Sequence, residues 1–266
     1  MTIINQWAVP QPLHPALKRE VTFCVQGVIS PVLANCYLHY VLDLWFQKKW
    51  RNHDAKGDTI IVRYADDFVV GFQHKEDAER FLSAVKARFQ RFELDLHPDK
   101  TRLIEFGRLA KASRRRQGLG RPETFDFLGF THYCALTRKR RFKLGRKPVA
   151  KRMTRTLNRI RQVLRRRMHG KSPETARWLG QVLDGWLNYY AVPTSSRYLN
   201  RFANRLKRTW LRTMRQRSQK DRSTWADIAR LSKAHWPSLK IRHPWPDQRL
   251  AVSDVTARTR GKSRMP

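Results

Sequence analysis

Two adjacent aspartates, Asp66 and Asp67, stand between two apolar runs in the stretch TIIVRYADDFVVGF at residues 59–72. Neighbouring carboxylates repel each other, and burying an unpaired carboxylate is costly. A bound divalent cation would remove the repulsion. Oxygen ligands suit Mg²⁺, and two such ions about 4 Å apart are the usual arrangement for phosphoryl transfer between nucleotides. The residues alone also allow a solvated turn, since Asp is a common turn former.

The residues on either side of the pair predict a β-hairpin that would carry it. Both flanking runs are short and rich in β-branched and aromatic side chains, which favours buried strands. The spacing between the runs predicts a turn of two to four residues around Tyr64 to Asp67. At such a turn, neighbouring side chains can converge on one cation.

Helices are predicted before and after this hairpin. Ser30 followed by Pro31 has the pattern of a helix N-cap and first turn. Apolar residues recur at helical spacing on both sides of the hairpin, the second time within residues 75–92. The first stripe is Leu33, Tyr37, Val41, Leu44 and Trp45, and the second is Ala78, Phe81, Leu82, Val85 and Phe89.

Further strands and a second group of helices follow. The patterns predict strands over residues 101–106 and over residues 125–136, the latter interrupted by Gly129, so the first part is an α+β layer structure. Residues 108–122 have the composition of a flexible basic loop, and residues 137–149 that of a basic ribbon or linker. Three amphipathic seams then predict a small helical bundle. The seams are Met153, Leu157, Ile160, Leu164 and Met168; Trp178, Val182, Leu183, Trp186 and Tyr190; and Leu199, Phe202, Leu206, Trp210 and Met214.

The net charge indicates a polyanionic partner. The 266 residues carry 56 Lys and Arg against 21 Asp and Glu, a formal net charge of +35. Residues 1–110 contain 15 basic and 13 acidic residues, and residues 111–266 contain 41 and 8, so the second part holds +33 of the excess. No apolar run is long enough to span a bilayer and no signal-peptide pattern is present, so we expect nucleic acid and no membrane partner.

Cysteine and histidine usage gives no metal motif. Cys24, Cys36 and Cys134 are scattered without Cys-x-x-Cys spacing, and the nine histidines show no ligand cluster. Isolated thiols fit a reducing compartment, which predicts a cytoplasmic protein.

The ordered motifs resemble group II intron-encoded reverse transcriptase/maturase proteins. GVISPVLANCYLH at residues 27–39, YADDFVV at 64–70, LHPDKTRLIEF at 96–106 and FDFLGF at 125–130 are similar to successive polymerase palm segments of that family. The stretch GWLNYYAVPTSSRYLNRFANRLKRTWLRTMRQ resembles the family's maturase region, also called domain X or the thumb.

The resemblance implies an RNA-dependent DNA polymerase fold that also binds intron RNA and assists splicing. Group II intron RNA and an RNA/DNA primer-template would be its partners, and Mg²⁺ its cofactor. The family's motifs assign metal binding and catalysis to Asp66 and Asp67, and approach to the triphosphate to Lys100. They assign nucleotide and template contacts to Gly27, Ser30, Pro31, Tyr64 and Ala65, and the primer grip to Phe127, Leu128 and Gly129.

Departures from the family pattern predict a polymerase-deficient chain. Relatives have a fingers region and a first palm strand upstream, and that strand supplies another catalytic aspartate. Residues 1–42 contain no aspartate and a single acid, Glu20, and Gln26 stands where the family has a glycine. Since two metal ions need carboxylates from two strands, Asp66 and Asp67 alone would bind Mg²⁺ weakly. We therefore expect a truncated or rearranged copy.

The expected organisation is a partial palm followed by an all-α three-helix thumb/maturase bundle. We expect a leader at residues 1–23, the palm at 24–136, a basic linker at 137–149, the bundle at 150–219, and a Trp/Pro-rich segment with a basic tail at 220–266. No His-Asn-His or Cys-x-x-Cys cluster follows the maturase region, so the DNA endonuclease of some relatives is not expected.

Three functions remain open from the sequence. The chain could be a reverse transcriptase completed by a separate fingers-containing chain, an RNA-binding maturase without polymerase activity, or a decayed fragment. The charge distribution favours RNA binding as the surviving activity. The residues expected to face RNA phosphates are Arg201, Arg205, Lys207, Arg208 and Arg212.

Overall fold

The computed structural model describes residues 2–5, 30–218, 220–245 and 248, with only the backbone for residues 2–5 and for Ser30. The chain divides into two compact units. The first contains Met1–Phe127 and His132–Leu144, and the second contains Leu128–Thr131 and Gly145–Pro266. Helices and strands are mixed, as the α+β prediction requires.

A four-stranded antiparallel sheet forms the base of the first unit. Its strands are β1 (Thr2–Asn5), β2 (Thr59–Tyr64), β3 (Asp67–Phe72) and β4 (Arg102–Ile104), in the order β2-β3-β1-β4. Strands β2 and β3 form the predicted hairpin, with two residues between them. The prediction of a strand within residues 101–106 is also confirmed.

Strand β1 is a feature that the sequence pattern did not predict. Thr2 lies opposite both Gly71 and Ile104, and Asn5 lies opposite Phe68. A segment of the expected leader therefore occupies an inner position of the sheet, between β3 and β4.

The first helix is wound differently than predicted. Helix α1 (Ser30–Leu38) continues into two π-helical segments, His39–Asp43 and Phe46–Asp54. A π-helical turn contains an extra residue, so it rotates the buried face of the helix. The buried residues are Leu38, Val41, Leu42, Phe46 and Trp50, whereas Leu33 and Tyr37 of the predicted stripe are exposed.

Helix α2 (Lys75–Arg91) packs the hairpin into an aromatic core, and most of its predicted stripe is confirmed. Ala78, Phe81, Val85 and Phe89 are fully buried, and Leu82 is half-buried. The Phe81 ring lies 5.1–5.7 Å from four other rings, those of Trp45, Phe46, Trp50 and Phe72. Such contacts stabilise the fold beyond simple burial, and they attach β3 to the helices.

Two basic segments have more regular structure than predicted. The expected flexible loop at residues 108–122 contains helix α3 (Ala110–Arg116). The expected interrupted strand is a hairpin of β5 (Phe125–Phe127) and β6 (Phe130–Leu136). The basic segment at residues 137–149 contributes strand β7 (Phe142–Pro148), which gives a sheet in the order β5-β6-β7.

The second unit is built on four helices around one core. They are α4 (Ala150–Arg166), α5 (Ser172–Tyr190), α6 (Ser196–Arg215) and α7 (Trp225–His235). The third predicted seam is entirely buried, and the others contribute Met153, Ile160, Leu164, Leu183 and Trp186. Helix α7 corrects the three-helix prediction, because its Ile228 is fully buried in the same core. Among the described residues, no helix has the length and apolarity needed to cross a bilayer.

Candidate functional site

The paired aspartates lie at a tight turn of the first sheet. Ala65 and Asp66 form the turn. Tyr64, the last residue of β2, pairs with Asp67, the first residue of β3. Ala65 has a φ of 52°, in the left-handed region that hairpin turns of two residues require. Asp66 is exposed and Asp67 is half-buried, and Tyr64 projects into solvent with 64% of its surface exposed. The Asp66 carboxylate is therefore accessible to a cation.

Arg63, which precedes this motif, is enclosed by acceptors. Its side chain is 14% exposed, and its Nε and Nη2 donate to the Asp43 carboxylate at distances of 2.6–3.1 Å. Its Nη1 donates to Asn35 Oδ1 at 2.9 Å and to the Ala65 carbonyl oxygen at 2.8 Å. Arg63 was not among the site residues predicted from the sequence, although a cation inside an apolar strand is a signal that could have revealed it.

The remaining residues assigned to this site by resemblance are only partly described. Gly27 lies outside the described residues, and Ser30 is the first residue of α1. Pro31 is exposed, and its carbonyl oxygen accepts a hydrogen bond from Asn35 Nδ2 at 2.9 Å. Lys100 is exposed in the turn before β4, where its N–H donates to the His97 carbonyl oxygen.

A third acid does not join the pair within the part of the chain that the structure describes. That part contains no group of three or more His, Cys, Asp or Glu residues able to hold a metal ion. The donor chemistry of Asp66 and Asp67, two oxygen-bearing groups on successive residues, suits a hard cation such as Mg²⁺.

The residues of the predicted primer grip occupy the turn of the second hairpin. Phe127 is buried, and Leu128 and Gly129 both have positive φ, 47° and 78°. Within the second unit, the Leu128 carbonyl oxygen accepts a hydrogen bond from the Tyr189 hydroxyl and that of Gly129 accepts one from the Val149 N–H. The turn at Leu128–Gly129 is therefore attached to the segments that begin α4 and end α5.

Helix α6 presents an arginine face opposite its buried face. The helix contains no acidic residue, and Leu199, Phe202, Leu206 and Trp210 are buried. At about 100° per residue, six exposed arginines fall within an arc of roughly 80° and extend over about 27 Å of helix. This arginine face consists of Arg197, Arg201, Arg205, Arg208, Arg212 and Arg215.

The arginine face includes most of the residues predicted to contact RNA but excludes one. Arg201, Arg205, Arg208 and Arg212 belong to it, whereas Lys207 points elsewhere. Lys207 is half-buried, and its ammonium lies 5.6 Å from the centre of the Trp236 ring. Arg197 and Arg215 were missed, although they continue the same spacing of three and four residues.

Comparison with known protein families gives two matches, which agree with the division of the chain into a first unit and a helical second unit. A profile described as reverse transcriptase (RNA-dependent DNA polymerase) matches residues 12–132. A second profile, described as group II intron, maturase-specific domain, matches residues 151–231. A search of curated proteins gave no match.

Proposed function

Because the chain belongs to the group II intron reverse transcriptase/maturase family, we propose that it binds group II intron RNA through its helical unit and does not polymerise DNA alone. In this proposal the first unit is a polymerase palm and the helices form the thumb/maturase region. The protein acts as a cytoplasmic ribonucleoprotein component that assists intron splicing.

The arginine face of α6 is the observation that carries RNA binding. A guanidinium donates two parallel hydrogen bonds to a phosphate and is less strongly hydrated than an ammonium. Six of them on one side of a helix without acids would repel one another unless phosphates compensate their charge. The residues of α6 that face away from this surface are buried in the core, so RNA contact need not disturb the fold.

Strand β1 supports the absence of polymerase activity. It lies beside β3 and ends at Asn5, opposite the residue that follows Asp67. None of its four residues is acidic. Two metal ions need carboxylates from two strands, and β1 supplies none from this position. Asp66 and Asp67 would then hold a single Mg²⁺ weakly, in contact with nucleotide or primer-template phosphates.

RNA binding can be tested by removing three charges from the arginine face. We would transcribe the intron from the DNA that flanks the coding sequence and measure its affinity for the protein at increasing KCl concentration. Arg201, Arg205 and Arg212 would be replaced together by Gln, which preserves helix propensity. If each contact contributes roughly 1 kcal/mol, affinity should fall about 10²-fold. The plot of log affinity against log salt concentration should become less steep, its negative slope shrinking in magnitude by about 2.

The control removes the same number of charges from the first unit. Lys48, Lys86 and Arg91 are exposed, and their joint replacement by Gln should alter affinity much less. Equal losses in the two triple variants would indicate attraction by overall charge and contradict a specific role for α6. Affinity that does not change with salt in the unmodified protein would contradict phosphate binding altogether.

A further inference from the structure

Arg63 combines a largely buried side chain with several hydrogen-bond partners. It is the residue immediately before Tyr64, and its three guanidinium nitrogens all donate to oxygen atoms of the same unit. Its contact with Asp43 is bidentate, the strongest geometry for such a pair. A charged group with so little exposure is costly to bury unless it is paired and hydrogen-bonded, as Arg63 is.

The bond from Arg63 to Ala65 acts on a strained part of the turn. Ala65 has a Cβ, yet its φ of 52° lies in a region that L-residues other than Gly avoid at a cost of about 1 kcal/mol. The Ala65 carbonyl oxygen belongs to the peptide that joins Ala65 to Asp66. The Arg63 Nη1 at 2.8 Å therefore holds the peptide plane from which Asp66 follows.

The same guanidinium also reaches the beginning of α1. Asn35 accepts from Arg63 through Oδ1 and donates through Nδ2 to the Pro31 carbonyl oxygen at 2.9 Å. Asp43, in the π-helical segment, holds the opposite edge of the guanidinium. Arg63 thus connects the hairpin turn to two points of one helix, 20 and 28 residues away in sequence.

We propose that Arg63 is the positioning residue of the Asp66–Asp67 turn. The bidentate contact with Asp43 fixes the Arg63 guanidinium, which in turn holds Ala65 in the left-handed conformation. This conformation fixes the direction in which the Asp66 and Asp67 side chains leave the backbone. The effect on the backbone is independent of any cation. The consequence for cation binding rests on the proposed function, in which Asp66 and Asp67 hold Mg²⁺.

Lysine could not replace this arginine. A lysine ammonium has three donors on one nitrogen atom, whereas the four acceptor oxygen atoms here surround the planar guanidinium of Arg63. The turn should therefore loosen in Arg63→Lys although the charge is kept. Asp43→Asn, which leaves the guanidinium in place but removes the charge of its anchor, should loosen it to a smaller extent.

Amide hydrogen exchange of the metal-free protein tests the effect on the backbone. In Arg63→Lys, the amides of residues 64–67 should exchange about tenfold faster, which corresponds to the loss of one hydrogen bond to a charged group. The control is Arg88→Lys, because Arg88 is also partly buried and donates to the carbonyl oxygens of Val41 and Tyr40. It should loosen the helices without changing exchange at the turn.

Cation binding provides the second measurement. Binding of Mn²⁺, a paramagnetic substitute for Mg²⁺, would be titrated by electron paramagnetic resonance. Arg63→Lys should weaken binding several-fold, Asp66→Asn should abolish it, and Arg88→Lys should leave it unchanged. If the unmodified protein binds no Mn²⁺, the proposed metal pair is wrong while the exchange result still decides the role of Arg63. Unchanged turn exchange in a folded Arg63→Lys protein would overturn that role.

Discussion

The Tyr189 hydroxyl donates a 2.6 Å hydrogen bond to the carbonyl oxygen of Leu128. The two residues are 61 positions apart, and the tyrosine ring also stacks on Phe130 with centroids 5.5 Å apart. Helix α5, which belongs to the maturase-like part of the chain, therefore holds a turn that the family resemblance assigns to primer binding. Leu128 and Gly129 are part of the second, helical unit, and the hydrogen bonds of their carbonyl oxygens join them to that unit.

Removal of the Tyr189 hydroxyl should release this turn. Tyr189→Phe keeps the ring stack but leaves the Leu128 carbonyl without this donor, so we expect a loss of about 0.5–1.5 kcal/mol in the free energy of unfolding. The amides of residues 127–131 should exchange faster. The control is Tyr190→Phe, since the Tyr190 hydroxyl interacts with Arg152. If amide hydrogen exchange at residues 127–131 accelerated equally in both variants, the specific role of Tyr189 would be contradicted.

Several elements were predictable from sequence because their signals are local. The β2–β3 hairpin follows from two β-branched runs around a short turn, and the α6 seam from five residues at helical spacing, all of which are buried. Strand β1 has no such signal: four residues cannot establish a period, and Thr2 finds its partner Gly71 only in the folded sheet. The same holds for Arg63, whose role depends on Asp43.

Two of the errors in helix assignment have separate physical causes. The α1 stripe assumed a constant 3.6-residue period, whereas the helix continues into π-helical segments, where Leu42, Phe46 and Trp50 are buried outside that stripe. Helix α7 lies in a segment rich in Trp and Pro, a composition that does not indicate a helix, yet its N-terminus carries a specific sequence signal. That signal is a capping box, in which Thr224 and Asp227 bond each other's backbone N–H groups.

Two glycines of the helical unit should respond oppositely to alanine. Gly129 has a φ of 78°, and an added Cβ would lie 2.9 Å from Arg152 Nη1. Gly129→Ala should therefore lower the free energy of unfolding by about 1–2 kcal/mol. Gly185 lies inside α5 with no atom within 4 Å of an added Cβ, so Gly185→Ala should raise it by about 0.5–1 kcal/mol. Urea denaturation would measure the free energy of unfolding of both variants. No change in that free energy for Gly129→Ala would argue against a fixed turn.

Asp77 should make the stability of the first unit depend on pH. Its side chain is fully buried at the start of α2, where it accepts from the backbone N–H groups of Lys56 and Gly57 at 3.0 Å and pairs with Arg80. Burial alone would raise the pKa of Asp77, but the hydrogen bonds from Arg80, Gly57 and Lys56 outweigh it and hold the pKa below the ordinary value of 3.8. Because the pKa of Asp77 is lower in the folded than in the unfolded state, its ionised carboxylate stabilises the fold at any pH above the unfolded-state pKa. This stabilisation is lost as the pH falls through the folded-state pKa.

The comparison of Asp77→Asn with the unmodified protein isolates this contribution. At neutral pH the variant should lose about 1–3 kcal/mol in the free energy of unfolding, and the difference should shrink once the pH falls below 3.8. Glu76→Gln is the matched control, because Glu76 is an exposed acid in the same first turn. It should cost about 0.3–1 kcal/mol through the helix dipole. A difference for Asp77→Asn that persists unchanged in acid would mean that lost packing causes the effect.

Primer extension is the decisive measurement for the polymerase site. With a primed RNA template, deoxynucleoside triphosphates and Mg²⁺, the protein should extend primers no faster than its Asp66→Asn variant. Carboxylates from a second strand are required to place both metal ions, and loss of charge stabilisation and positioning typically reduces rates by about 10³-fold or more. An active group II intron reverse transcriptase assayed in parallel would establish the sensitivity. Extension that depends on Asp66 would show that the turn holds a working metal centre, and the acid-free β1 would then need a substitute from elsewhere in the chain.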